Sequence, residues 1–132
     1  MMSPLPGKFR KDPEKAFRAQ FADGLSSEDR RVLDQREIKD NLLAGAVEAV
    51  RQGPRGLAVE IQCIFARPWG FRPQDITVPV HLWYGDADAL VPVGSGRYLA
   101  ETIPGAELRI CPAEGHMLLY TRWEEMLTTL TR

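Results

Sequence analysis

The sequence predicts an α/β fold, in which a mostly helical first half precedes a β-α-β-α unit. Two apolar runs, at 78–84 and 107–111, have the composition of strands. A helical segment at about 94–103 separates them, and a second helical pattern begins at about residue 119. Two strands connected through a helix in this way are expected to lie parallel, with a right-handed crossover.

Length and composition limit the function classes. The chain has 132 residues, enough for one domain, with 44% hydrophobic and 27% charged residues and a formal net charge of -1. That charge gives no reason to expect nucleic acid or a membrane surface as a partner. No apolar secretion signal is visible and no run approaches ~20 apolar residues, so we expect a cytoplasmic protein. No metal site or organic cofactor is implied.

The two cysteines, Cys63 and Cys111, both lie in apolar runs. We expect two buried free thiols in a reducing compartment, because their spacing supports neither a disulfide nor a metal site.

Four helices are predicted before residue 68. The first begins near Asp12, and the second is capped by Ser26 with Asp29 three residues later. The third covers about 35–51 and ends at Gly53, and the fourth ends before Pro68. Three of the helices carry apolar stripes with helical spacing: Phe17, Phe21 and Leu25 in the first, Ile38, Leu42, Leu43, Ala46, Val47 and Val50 in the third, and Leu57, Ile61, Ile64 and Phe65 in the fourth.

Helical patterns give way to alternating strand and helix patterns near residue 70. We therefore place a boundary there between a helical region (1–70) and the β-α-β-α region (71–132). Trp69 and Phe71 lie in the connecting loop. They either line a substrate pocket or, as is more common for such aromatic side chains, anchor the junction between the two regions.

Asp88 lies just beyond the carboxyl end of the first strand, where open α/β sheets place ligands and catalytic groups. Its carboxylate could orient an imidazole and stabilise its charged form. Aspartates in turns also commonly bond their own backbone. Asp86 has the same two possible roles, and the backbone-bonding role is favoured more strongly for it because it lies closer to the turn.

His116 follows Gly115 in the loop after the second strand, so both polar groups emerge from the same end of adjacent strands. A histidine in that position could act as a general base. His81 lies in the middle of a strand, and we interpret it as a structural histidine with one hydrogen bond.

A nucleophile is missing from the sequence. Ser95 lacks glycines two residues before and after it and has the context of a helix N-cap. Ser26 and Ser27 lie in a polar helical region, and the apolar surroundings of Cys111 make its thiol inert.

Together these motifs resemble the C-terminal part of an α/β-hydrolase. The likeness rests on Gly85-x-x-Asp88-x-x-Val91-Pro92, on the segment 103–108, and on Gly115-His116. The resemblance implies that Asp88 is the acid and His116 the base of a catalytic triad, and that the helical region is the cap of such an enzyme. It also implies hydrolysis of a small ester or amide substrate.

The six strands, oxyanion-hole loop and nucleophile elbow of a full family member are not in this sequence, so we expect a fragment, a truncated product or half of a split enzyme. Two strands make no stable sheet, and the edge of the strand at 78–84 should recruit a partner. We expect a homodimer through that edge or a complex with a separate N-terminal half. The alternative function is a non-catalytic hydrolase remnant that acts as a binding or dimerisation module.

Overall fold

The computed structural model describes most of the chain from Gly24 onward. The described residues are Asp12, Lys15, Ala16, Ala19, 24–53 and 55–131, without the side chain of Leu57. Of the first predicted helix, the apolar positions Phe17 and Phe21 lie outside these residues. Lys15 donates its backbone N–H to the Asp12 carboxylate at 2.9 Å, a bond typical of a helix start.

The described part contains five helices, a short 3-10 helix and two strands in the predicted order. Their bounds are α1 Ser27–Asp34, α2 Arg36–Ala49, α3 Arg55–Phe65, the 3-10 helix Pro73–Asp75, β1 His81–Gly85, α4 Val93–Thr102, β2 Glu107–Cys111 and α5 Leu118–Leu130.

The residues group into two compact units. The first contains the described residues of 36–72 and those before Gly24, and the second contains Gly24–Gln35 with residues 73–131. The division into 1–70 and 71–132 stays a prediction. The units differ from it chiefly in α1, which is grouped with the sheet because its side chains bond the loop after β2.

In the first unit, α2 and α3 are joined at Gly53, whose φ of 100° suits glycine and ends α2 as the sequence predicts. The apolar stripe of α2 is half-buried and leads to the buried Val50. The apolar side chains of α3 are instead exposed, including Ile61, Ile64 and Phe65. Cys63 on α3 is also exposed, which corrects the expectation of two buried thiols.

In the second unit, β1 and β2 form a two-stranded parallel sheet in which Trp83 is opposite Arg109. The Arg109 guanidinium lies 4.4 Å from the ring centroid of Trp83, a favourable cation–π contact. Helix α4 packs on both strands. Gly96 of α4 lies directly against the Tyr84 ring. A Cβ at this position would come within 2.6 Å of a ring carbon, so the close approach requires glycine.

The predicted cap of α1 is confirmed. Ser26 Oγ accepts the Asp29 N–H and the Asp29 carboxylate accepts the Ser26 N–H, both at 3.0 Å. The apolar core of the second unit consists of Val32, Ile103, Cys111, Met117 and Leu118, all of which are buried. In the part of the chain that the structure describes, no helix has the length and apolar character to cross a membrane.

Candidate active site

The turn after β1 holds the Asp88 carboxylate in place with its own backbone. Oδ1 of Asp88 accepts the N–H groups of Leu90 at 2.8 Å and Val91 at 2.9 Å. These bonds are the local turn role considered for this residue. They use only one of the two carboxylate oxygens, so the second remains available for another group.

That second oxygen faces His116. Nδ1 of His116 lies 3.1 Å from Oδ2 of Asp88, and the histidine side chain is 38% exposed while the aspartate is 10% exposed. With its proton on Nδ1, the imidazole donates to the carboxylate and leaves Nε2 as a free base. The sequence placed these two residues at one end of the sheet, and the structure brings them into contact.

The loop from Pro112 to Met117 carries His116 and touches the end of β1 closely. Oδ1 of Asp86 accepts the Ala113 N–H at 2.7 Å, and the Ala87 N–H donates to the Glu114 carbonyl at 2.9 Å. Ala113 has a φ of 60°, in the left-handed region. A Cβ on Gly85 would overlap the Glu114 carbonyl, so only glycine permits this approach.

Asp29 of α1 holds the same loop from another side. Its Oδ1 accepts the Met117 N–H at 2.7 Å, and the residue is only 1% exposed. A Cβ on Gly115 would overlap the Asp29 carboxylate. Sequence reasoning identified Asp29 as a capping residue but missed this bond, because no local pattern connects residues 88 positions apart.

The buried carboxylate of Glu114 links the loop to α5. It accepts the Thr121 hydroxyl at 2.7 Å and the Arg122 Nε–H at 2.9 Å. Hydrogen bonds to Glu125 and to Glu114 raise the pKa of Arg122, which keeps this cation charged. Burial raises the pKa of the Cys111 thiol, in agreement with the inert thiol that the sequence predicts.

The Asp88–His116 pair lies in a cleft of about 370 Å³ in the second unit. Its walls come from β1, from the loops after both strands and from α5. The lining residues are His81, Leu82, Trp83, Tyr84, Gly85, Asp88, Val91, Gly115, His116, Leu118, Leu119 and Met126. Apolar walls beside a carboxylate–imidazole pair are typical of small-molecule sites.

Two other residues singled out in the sequence, His81 and Ser95, have no contact with the Asp88–His116 pair among the hydrogen bonds and ion pairs of the described residues. His81 pairs with Glu107 on the neighbouring strand, Nδ1 to Oε2 at 3.2 Å, in the structural role expected for it. Ser95 is not the N-cap that we expected, because α4 begins at Val93 after Pro92 and Ser95 lies inside the first turn.

Trp69 and Phe71 stack on each other in the first unit, with ring centroids 5.6 Å apart, and both are about half exposed. The Trp69 Nε1–H donates to the Ile64 carbonyl at 3.2 Å. Their assignment to a substrate pocket stays a prediction. Among the described residues, no cluster of three His, Cys, Asp or Glu side chains could hold a metal ion.

Comparisons with known proteins agree with the fold and the motifs. No family model matches the chain. Pimeloyl-(acyl-carrier protein) methyl ester esterase of Chromobacterium violaceum is 33% identical over 76 residues, which are 58% of this chain and 24% of that protein. The solved structure of Est816, described as an N-acyl homoserine lactone degrading enzyme, superposes with a TM-score of 0.55 at 26% identity.

The Est816 match covers 98% of this chain and 51% of the Est816 chain, so this chain spans about a quarter to a half of the proteins it resembles. The α/β architecture with a parallel two-stranded sheet, predicted from the sequence, is confirmed. The resemblance drawn from the motifs is confirmed as well: in sequence and in fold, this chain is similar to the α/β-hydrolases.

Proposed function

We propose that this chain supplies the acid–base half of a serine-type ester or amide hydrolase. His116 is the general base, and Asp88 orients it and stabilises its imidazolium form. The observation that carries the proposal is the 3.1 Å contact between Nδ1 of His116 and Oδ2 of Asp88 in a partly apolar cleft. Two relatives whose names describe hydrolysis of an ester and degradation of a lactone support the reaction class.

Proton transfer in this site follows from the two oxygens of Asp88. Oδ1 is occupied by two backbone N–H groups, so the carboxylate cannot rotate freely, and Oδ2 fixes the imidazole ring. Nε2 of His116 then takes a proton from an attacking hydroxyl and returns it to the leaving group. That hydroxyl and the donors for the tetrahedral oxyanion belong to a partner segment that is not in this sequence.

The residues before 70 form the cap in this proposal, and Trp69 and Phe71 contribute apolar surface to the acyl or aromatic side of the substrate. The substrate is a small ester or amide, and catalysis uses neither a metal ion nor an organic cofactor. We also propose a cytoplasmic location, as expected from the sequence.

The test is turnover of a short-chain p-nitrophenyl ester by the purified chain, measured beside His116→Ala. His81→Ala controls for the other imidazole of the chain, which has two histidines in all. His81 lines the same cleft, so kcat and KM are measured separately. We expect a weak kcat that is lost in His116→Ala and kept in His81→Ala, where only KM should change, because an oriented imidazole promotes ester hydrolysis even without a serine. Equal turnover above buffer in all three proteins would count against the proposal.

A second candidate function is favoured by the outer edge of β1. Within the described residues the sheet has only two strands, so the β1 edge that faces away from β2 has no strand partner. Leu119 and Trp123 on α5 are exposed as well. A non-catalytic module would use this edge to pair with a second copy or with a separate N-terminal half. Light scattering at micromolar concentration tests it: a monodisperse monomer excludes the homodimer.

A further inference from the structure

The Asp29 carboxylate does more than capping requires. A reciprocal cap of α1 uses one carboxylate oxygen, and Oδ2 fills that role by accepting the Ser26 N–H at 3.0 Å. The other oxygen, Oδ1, accepts the Met117 N–H at 2.7 Å. The residue is 1% exposed, so its carboxyl group is buried with both oxygens bonded to backbone N–H groups.

Its bonding partner is the residue directly after His116. Met117 is buried, and on the other side of the histidine Gly115 packs directly against the Asp29 carboxylate. The backbone is therefore fixed on both sides of His116. The direction of the His116 Cα–Cβ bond, and with it the reach of Nδ1 to Asp88, depends on this anchor.

We propose that Asp29 is a positioning residue for His116: it holds the Gly115–Met117 backbone so that the imidazole meets Asp88. The inference rests on the proposed role of His116 as base. It adds to the site a carboxylate on a helix remote in sequence, which touches neither the substrate nor the imidazole.

The test compares Asp29→Ala, Asp29→Asn and the matched control Ser26→Ala in the full chain. Ser26→Ala removes the bond between Ser26 Oγ and the Asp29 N–H but leaves the carboxylate and its bond to Met117. Ser26 Oγ also lies beside Gly115, so this variant separates loss of the α1 cap from loss of the Met117 bond and not from every contact with the loop. Two nuclear magnetic resonance readouts are used, neither of which needs turnover: exchange of the Met117 amide proton, and the share of His116 that carries its proton on Nδ1.

In Asp29→Ala, we expect Met117 amide exchange to accelerate roughly 10- to 100-fold, the factor for losing one hydrogen bond to a charged group. The Nδ1-protonated share of His116 should fall, because its contact with Asp88 is no longer held. Asp29→Asn, which keeps one acceptor oxygen, should lie in between, and Ser26→Ala should stay within about twofold of the parent. The β2 amide signals check that the sheet remains folded.

Two outcomes would overturn the inference: an unchanged His116 tautomer in a folded Asp29 variant, or equal effects of Ser26→Ala and Asp29→Ala. If Asp29→Ala fails to fold, Asp29→Asn decides by the same readouts. Failure of the proposed function looks different, since His116→Ala would then leave ester turnover unchanged while the spectra still report the anchor.

Discussion

The two loops that bring Asp88 and His116 together are stabilised by different kinds of hydrogen bond, local in one loop and long-range in the other. The turn after β1 is held by bonds from Asp88 to residues two and three positions along the chain. The loop after β2 is held by Asp86 and Asp29, which lie 27 and 88 positions from the groups they bond. One arm of the candidate site is therefore local, and the other is assembled by tertiary contacts.

Because one arm depends on local bonds and the other on distant ones, the two arms should fail separately. Substitutions at the anchors of the His116 loop should displace the base and leave the Asp88 turn intact. Substitutions of Asp88 itself should alter the acid and leave the loop in place, because among the described residues its carboxylate bonds the backbone only at Leu90 and Val91. The following variants test that separation.

The largest effect is expected for Gly85→Ala. Its Cβ would overlap the backbone carbonyl of Glu114, which cannot move aside as a flexible side chain could. We expect a loss of about 3 kcal/mol in the free energy of unfolding, measured by urea titration. Gly94→Ala on α4 is the control, because a Cβ there meets nothing within 4 Å and should be neutral or slightly stabilising.

Asp86→Ala should cost about 1 kcal/mol, since it removes one charge-assisted bond from an exposed carboxylate. The Ala113 amide should exchange faster, while the Leu90 and Val91 amides stay protected. Adding Ala113→Gly should recover part of the loss, because φ at that residue is 60°. Loss of protection at Leu90 and Val91 as well would show that the arms are coupled.

Asp88→Asn should change the free energy of unfolding by less than about 1 kcal/mol, because asparagine also forms this kind of turn. The same variant should lower ester turnover to the level of His116→Ala, since it removes the negative charge that faces the imidazole. Turnover equal to that of the parent chain would mean that Asp88 serves only the turn.

The smallest effect concerns Cys111, at the base of the His116 loop. Burial raises the pKa of its thiol, so the folded chain binds this proton more tightly than the unfolded chain. That contribution to stability is fully present below the ordinary thiol pKa of about 8.5 and is lost as pH rises towards the native value. A thiol reagent at pH 8 should therefore modify exposed Cys63 at once and Cys111 only when the loop opens. Equal labelling rates would refute this.

The sequence anticipated the elements that depend on local chemistry. The helical spacing of apolar residues, together with capping residues, predicted α1 to α5. The parallel pairing of the two strands was predicted from the β-α-β order of the elements. Ser95 was misplaced as an N-cap because Pro92 begins α4 earlier than expected. The apolar stripe predicted the helix α3, but Ile61, Ile64 and Phe65 on it are exposed, because periodicity cannot specify what covers a helix.

The same limit applies to the candidate site: residues marked by local sequence could be predicted, and contacts between distant residues could not. Asp88 and His116 could be proposed because both follow strand ends in the sequence. The second bond of Asp29 and the bond from Asp86 to Ala113 could not, because each joins groups that only the folded chain brings together. The contact of Gly85 with Glu114 has the same origin.

The span of 88 residues between Asp29 and Met117 also has a kinetic consequence. Closing a short turn costs little chain entropy, so the Asp88 turn can form early, whereas the bond to Met117 must wait until α1 and the start of α5 meet. The acid should then be in place before the base during refolding. Pulsed hydrogen exchange would detect this as late protection of the Met117 amide relative to Leu90 and Val91, and simultaneous protection would exclude it.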